Sequence, residues 1–153
     1  MRHALFLPAF DGLADPARVV ELAVAAESSG WDGFFLWDHL LYGPRVRDIL
    51  DPYTCLAAVA AATSTIELGP MVTPLVRRRP AVLARQAVTL DLLSHGRLVL
   101  GLGIGDDFAG ELSSFRDAVE APTRGRMLSE GLDVLSQLLS GNAVNHDGEF
   151  YRA

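Results

Sequence analysis

The chain has 153 residues, of which 50% are apolar, and a formal net charge of -6. This length fits one domain, and the apolar content suits parallel strands that are covered on both faces. The acidic balance argues against nucleic acid or an anionic membrane as the main partner. No apolar segment approaches the length of a membrane span, and the N-terminal apolar stretch is too short for a signal peptide, so we expect a cytoplasmic protein.

Strands and helices alternate along most of the chain. The predicted strands are residues 4–7, 33–37, 66–72 and 98–102. The predicted helices are residues 17–29, 53–63 and 80 to about 93, followed by one over about 124–139. Asp15-Pro16 and Asp51-Pro52 mark the first two helix starts, because Asp is a favoured N-cap and Pro a favoured first helical residue. The alternation repeats about every thirty residues and predicts a parallel sheet of four βα units.

The end of the chain has a different pattern. Residues 144–151 form two short runs around Asp147-Gly148. An Asp-Gly pair in this setting predicts a hairpin with a two-residue turn. We therefore expect a short hairpin after the C-terminal helix.

Two architectures fit four βα units: an open doubly wound sheet that binds a nucleotide, or part of a closed barrel. A dinucleotide-binding sheet carries its glycine fingerprint after the first strand. The glycine-rich stretch here, residues 101–105, follows the fourth strand and lacks the GxGxxG spacing. A complete (β/α)8 barrel needs about 250 residues. The sequence therefore favours an α/β fold that is a partial (β/α)8 barrel, with residues 1–153 as a single domain.

In such barrels the chemistry lies at the carboxyl ends of the strands. Three of these ends have distinctive residues: Trp37-Asp38-His39, the run 69–74, and the run 101–107. Cys55, the only cysteine, lies in an alanine-rich run and is expected to be an inert buried thiol. No pattern of metal-ligand spacing is present, so no metal site is predicted.

Three consecutive arginines, residues 77–79, precede Pro80 at a predicted helix start. Cations at that position oppose the helix dipole. Nearby carboxylates, a phosphorylated cofactor tail or a subunit interface would compensate them, and a solvated run of charge is the alternative.

Together, the motifs resemble one known family. The stretches 34–39, 66–70 and 96–103, in this order and spacing, resemble the luciferase-like family, and the pair Asp38-His39 resembles its branch that uses the deazaflavin coenzyme F-420. The stretch 148–151 resembles a mid-chain segment of full-length members, so the resemblance implies the N-terminal half of the barrel. It also implies an oxidoreductase or monooxygenase that uses coenzyme F-420 or FMN on a small organic substrate.

The resemblance implies roles for individual residues. His39 matches the active-site histidine beside the reactive face of the ring, a suitable role because histidine exchanges a proton near neutrality. Asp106 stands where the deazaflavin branch often has a glutamate that donates a proton. Repulsion from Asp107 could raise one of the two pKa values, and a solvated acidic loop is the alternative reading.

The remaining implied site residues belong to the cofactor pocket. The end of the third strand matches a bulge with a non-prolyl cis peptide bond behind the ring, placed at Met71-Val72. The residues implied to bind the cofactor are Asp38, Met71, Val72, Thr73, Gly103 and Gly105.

A second hypothesis is a truncated, catalytically inert half-barrel. A half-barrel has two unpaired edge strands and an exposed inward face. The resemblance also implies that the family's phosphate-binding loops lie in the other half. Pairing with a second copy or with a complementary barrel half would cover the edges and that face, so we expect a homo-oligomer or such a complex.

Overall fold

The computed structural model describes residues 1–153. Its strands are β1 (Ala4–Leu7), β2 (Gly33–Leu36), β3 (Glu67–Pro70), β4 (Thr73–Pro74) and β5 (Leu102–Gly103). Its helices are α1 (Pro16–Ser28), α2 (Pro52–Ala62), α3 (Pro80–Leu93) and α4 (Ala121–Leu139). Short 3-10 turns cover Asp11–Leu13, Leu75–Arg77 and Ser113–Phe115. The predicted alternation of strands and helices is confirmed.

The strands are parallel and follow one another in sequence order. β1 pairs with β2 and β2 with β3. Leu98 then bridges to Leu68 in parallel, and β5 pairs with β4. The predicted fourth strand, residues 98–102, therefore lies beside β3, but a regular strand forms only at Leu102–Gly103, one residue past the predicted end. The third strand is likewise shorter than predicted, because the segment between Pro70 and Thr73 bulges out of the ladder.

The first two helices begin as their local sequence predicts. The Asp15 carboxylate accepts a hydrogen bond from the N–H of Ala17 at 2.9 Å, and that of Asp51 accepts one from the N–H of Thr54 at 2.8 Å. α3 ends at Leu93, and Gly96 follows with a φ of +82° and donates its N–H back to the carbonyl of Asp91 at 2.9 Å. α4 begins at Ala121, earlier than predicted.

All four helices lie on one side of the sheet. Each packs against the next, α1 on α2, α2 on α3 and α3 on α4. Alternate strand residues such as Phe34, Leu36 and Leu68 are buried in the core that the sheet shares with these helices. A doubly wound sheet would have helices on both faces, so the structure excludes that alternative.

The other face of the sheet carries apolar side chains without a covering layer. Phe6, Phe35 and Gly69 are paired in register across β1, β2 and β3. Phe6 is 50% exposed and Val99, beside β3, is 36% exposed, whereas Phe35 is 9% exposed. This face corresponds to the interior of a closed barrel.

The C-terminal hairpin forms, but the prediction of its turn was wrong. His146 and Ala153 exchange both backbone hydrogen bonds, and the N–H of Gly148 donates to the carbonyl of Tyr151 at 3.0 Å. The connecting residues are therefore Glu149 and Phe150 rather than Asp147 and Gly148. The Glu130 carboxylate accepts from the N–H of Phe150 at 3.1 Å and from that of Tyr151 at 2.9 Å. A contact with α4 thus determines the register that the Asp-Gly pair was expected to set.

Candidate active site

The three strand ends singled out in the sequence meet at one edge of the sheet. The N–H of Met71, after β3, donates to the carbonyl of Leu36, at the end of β2, at 2.8 Å. The N–H of Thr73 donates to the carbonyl of Gly101 at 2.8 Å. Because the strands are parallel and in register, His39, the bulge and the glycine-rich loop all lie at this edge.

Asp38, two residues after β2, belongs to an ion-pair network. Its side chain is 1% exposed and receives two hydrogen bonds of 3.0 Å from the Arg78 guanidinium, one to each carboxylate oxygen. Arg77 donates to Oδ1 of Asp38 at 3.3 Å and also to its backbone carbonyl. The carboxylate of Asp38 therefore holds the two arginines, and its predicted contact with a cofactor stays a prediction.

The arginine run is not a solvated run of charge. The side chains of Arg77 and Arg78 are 4% and 18% exposed, and only Arg79 is exposed. Carboxylates compensate the two buried cations, as one of the alternatives anticipated. Arg78 also stacks on the ring of Tyr53, with its guanidinium carbon 4.5 Å from the ring centroid.

His39 is held by a glutamate that the sequence reasoning missed. Nδ1 of His39 lies 3.0 Å from Oε1 of Glu111, and the N–H of Leu40 donates to Oε2 of Glu111 at 2.9 Å. Arg77 Nη1 lies 3.5 Å from the same Oε2. Glu111 therefore joins His39 to the ion-pair network around Asp38.

The surroundings of Glu111 keep it ionised. Burial alone would raise the pKa of Glu111, but the hydrogen bonds from His39 and Leu40 and the charge of Arg77 together lower it below its usual value. An ionised carboxylate only accepts hydrogen bonds. Glu111 is therefore an acceptor at neutral pH.

Aromatic rings enclose the imidazole of His39. The ring centroids of Tyr42, Trp37 and Phe10 lie 5.1, 5.9 and 6.0 Å from that of His39. The indole Nε1 of Trp37 is buried and has no hydrogen-bond partner. Buried donors are normally paired, so this unpaired N–H is an exception beside His39.

His39 and Asp106 line one cavity. It measures about 220 Å³ and is bordered also by Leu41, Tyr42, Phe108, Ala109 and Glu111. Asp106 is exposed, and its carboxylate accepts from the N–H of Phe108 two residues further on. The two candidate catalytic residues are thus brought together, as the resemblance implies, while their roles stay predictions.

Asp107 does not behave as a repelled partner of Asp106. Its carboxylate accepts from the N–H groups of Leu112 and Ser113 at 2.8 and 3.0 Å. These backbone hydrogen bonds lower the pKa of Asp107. The expected raising of a pKa by mutual repulsion is therefore not seen at Asp107, because its carboxylate is engaged by the start of the turn over Ser113–Phe115.

The structure has a non-prolyl cis peptide bond between Met71 and Val72, where the resemblance implies one. The next residue, Thr73, is fully buried, and its hydroxyl lies 2.8 Å from that of Tyr53. The side chain of Val72 remains 41% exposed at this edge. The bulge therefore leaves Val72 exposed, while the hydrogen bond between Thr73 and Tyr53 connects the bulge to α2.

The glycines of the fourth strand let it approach the bulge. A Cβ atom at Gly101 would lie 2.7 Å from the carbonyl oxygen of Pro70, and one at Gly103 would lie 2.9 Å from Val72 Cγ2. Gly105 has a φ of +72°. Gly101 and Gly103 are thus required for packing against the bulge and Gly105 for its backbone conformation. Contact of Gly103 and Gly105 with a cofactor stays a prediction.

The comparison with protein families decides the assignment. The luciferase-like monooxygenase model matches residues 1–153. The chain belongs to the luciferase-like monooxygenase family. Within this family, the chain is 35% identical over 148 residues to the F-420-dependent glucose-6-phosphate dehydrogenase of Mycolicibacterium smegmatis, covering 90% of the chain and 42% of the relative. It is 36% identical over 141 residues to that of Nakamurella multipartita, covering 90% and 41%.

Solved structures share the fold. The oxygenating constituent of 3,6-diketocamphane monooxygenase from Pseudomonas putida, a complex with FMN, superposes with a TM-score of 0.84 at 25% identity over 100% of the chain and 43% of that protein. An F-420-dependent secondary alcohol dehydrogenase superposes with a TM-score of 0.86 at 22% identity, over 99% and 46%. The partial-barrel fold is confirmed, and the chain spans less than half the length of these relatives.

Three further features concern other kinds of function. None of the helices is long and apolar enough to cross a membrane. No cluster of three or more His, Cys, Asp or Glu side chains is arranged to hold a metal ion. Cys55 is buried, as expected, and burial raises the pKa of its thiol.

Proposed function

We propose that residues 1–153 form the N-terminal half of an oxidoreductase or monooxygenase that uses coenzyme F-420 or FMN on a small organic substrate. The supporting observation is that His39 and Asp106 line one cavity at the strand ends. Relatives of both cofactor types share the fold. The bound cofactor would exchange hydride with the substrate or, as reduced FMN, activate oxygen.

The residues at this edge fit the ring system of such a cofactor. The Nε1–H of Trp37 is a buried donor without a partner, and Val72 offers exposed apolar surface at the bulge. His39 would act as base or hydrogen-bond donor, and Asp106 as acid. Met71, Thr73, Gly103 and Gly105 would shape the wall of the ring pocket.

A binding titration tests this proposal. The purified chain is titrated with FMN and coenzyme F-420, each oxidised and reduced, and one of them should bind saturably at micromolar concentration. The variant His39→Ala should weaken that binding about tenfold or more, which corresponds to about 1.4 kcal/mol. His3→Ala is the matched control, because exposed His3 lies at the opposite edge of the sheet. Absence of binding by the folded chain would contradict the proposal.

We also propose that the chain associates with a second copy or with a complementary barrel half. Phe6 and Val99 are exposed on the helix-free face, and β1 is an unpaired edge strand. Sedimentation at micromolar concentration should show a dimer of the purified chain, and Phe6→Glu should reduce its fraction. A monomer at every concentration would contradict association with a second copy and leave only association with a complementary barrel half. A cytoplasmic location completes the proposal and agrees with the free thiol of Cys55.

A further inference from the structure

We propose that Glu111 is a positioning residue that fixes the tautomer and the orientation of His39, so that Nε2 is the proton acceptor presented to the cavity. The role of Nε2 in a reaction rests on the proposed function. The state of the imidazole does not, because every contact involved lies within the chain itself.

A single carboxylate holds both the side chain of His39 and the backbone beside it. Oε1 of Glu111 lies 3.0 Å from Nδ1 of His39, while Oε2 accepts from the N–H of Leu40 at 2.9 Å. The Glu111 side chain is 3% exposed, so its oxygens are largely shielded from water. The two contacts fix the imidazole relative to the backbone at the end of β2.

The charge on Glu111 determines which nitrogen carries the proton. Arg77 lies 3.5 Å from Oε2 of Glu111 and is itself anchored to Asp38. This partner helps keep the carboxylate ionised and therefore purely an acceptor. Nδ1 of His39 must then be the donor, and the neutral imidazole has its lone pair on Nε2.

Nε2 is the nitrogen left free. It forms no hydrogen bond in the structure, and the His39 side chain retains 26% exposure. The imidazole borders the cavity that Asp106 also lines. The rings of Trp37 and Tyr42 pack against it and restrict its rotation. Nε2 is therefore the ring nitrogen that is free to accept a proton from a molecule bound in the cavity.

His146 provides an internal reference, because its contact with a carboxylate favours the opposite tautomer. His146 approaches Glu130 through Nε2 rather than Nδ1, at the same distance of 3.0 Å. By the same reasoning, neutral His146 has its proton on Nε2. The two remaining histidines, His3 and His95, have no carboxylate partner for the ring.

Nitrogen-15 NMR of the labelled chain without any cofactor tests the inference. At alkaline pH, where histidine is neutral, the ring nitrogens of His39 should show the Nδ1–H tautomer and those of His146 the Nε2–H tautomer. Glu111→Ala should convert His39 to a mixture of tautomers. The matched variant Glu130→Ala should change His146 and leave His39 as it is, and the loss of signals in His39→Ala assigns the resonances.

An Nε2–H tautomer of His39 in the unmodified chain would overturn the inference, and this spectrum requires no variant to fold. Glu111→Gln is a second variant of nearly the same size, with one oxygen for the two donors of His39 and Leu40. It should also lose the single tautomer, and an unchanged tautomer in both variants would overturn the inference. Failure to bind FMN or coenzyme F-420 would overturn the proposed function without altering the tautomer.

Discussion

Two histidine–glutamate pairs of equal length occur in this molecule and have different surroundings. Nδ1 of His39 and Nε2 of His146 each lie 3.0 Å from a carboxylate oxygen, of Glu111 and Glu130 respectively. The side chain of Glu111 is 3% exposed and that of Glu130 is 16% exposed. The first pair borders a cavity at the strand ends, and the second connects the C-terminal hairpin to α4.

The difference lies in what else each carboxylate holds. Glu130 accepts from the N–H groups of Phe150 and Tyr151, so its contacts are with a local turn. Glu111 reaches Arg77, and through it the buried Asp38. Loss of the Glu111 network leaves an unpaired charge in the interior, whereas loss of the Glu130 network releases a hairpin at the surface. The same contact thus supports a site in one region and a chain end in the other.

The largest effect should come from breaking the network at its buried anchor. Asp38→Ala removes the carboxylate to which Arg78 donates two hydrogen bonds, and it removes one of the acceptors of Arg77. Removing one member of a buried ion pair costs about 3 kcal/mol or more, because the remaining charge stays desolvated. We expect a loss of that size in the free energy of unfolding, measured in urea at neutral pH.

An exposed ion pair in the hairpin provides the control for that experiment. Asp147 lies 2.6 Å from Arg152, with side chains 73% and 84% exposed. Asp147→Ala should change the free energy of unfolding by less than about 1 kcal/mol, because exposed pairs are screened by water and salt. Equal effects of the two substitutions would contradict the assignment of Asp38 as the anchor.

The predictability of the fold follows the range of the interactions that form it. Asp15 and Asp51 act on N–H groups within one helical turn, so their effect could be read from the local sequence. The hairpin turn could not, because Glu130 selects it from 20 and 21 residues away. The fourth strand was expected over residues 98–102, but its pairing depends on the bulge after β3 and is regular only at Leu102–Gly103.

The residues of the candidate site also differ in whether the sequence could predict them. His39 and the cis bond at Met71-Val72 follow from motifs that the chain shares with its family. Glu111 lies 72 residues from His39 in sequence, and no local pattern connects the two. The arginine run had to stay ambiguous, because only the fold brings Asp38 and Glu111 to Arg77. A buried carboxylate beside the glycine-rich loop is the signal to seek in related chains.

The smallest effect, and the sharpest local contrast, concerns acid. The pKa of Glu130 is lowered, since burial, which raises it, is outweighed by hydrogen bonds from His146, Tyr151 and Phe150. A carboxyl group with a depressed folded-state pKa stabilises the fold above its unfolded value of about 4.3, and this contribution is lost as the pH falls through the lower folded value. The Phe150 and Tyr151 amides should therefore lose protection from hydrogen exchange below about pH 4.3.

Two variants test this expectation. Glu130→Gln should show reduced protection that no longer changes over this pH range, while Glu111→Gln should leave the hairpin amides as they are, because Glu111 does not contact them. Parallel loss in both variants would mean that hairpin and strand-end site unfold as one unit, and the contrast between the two histidine–glutamate pairs would not hold.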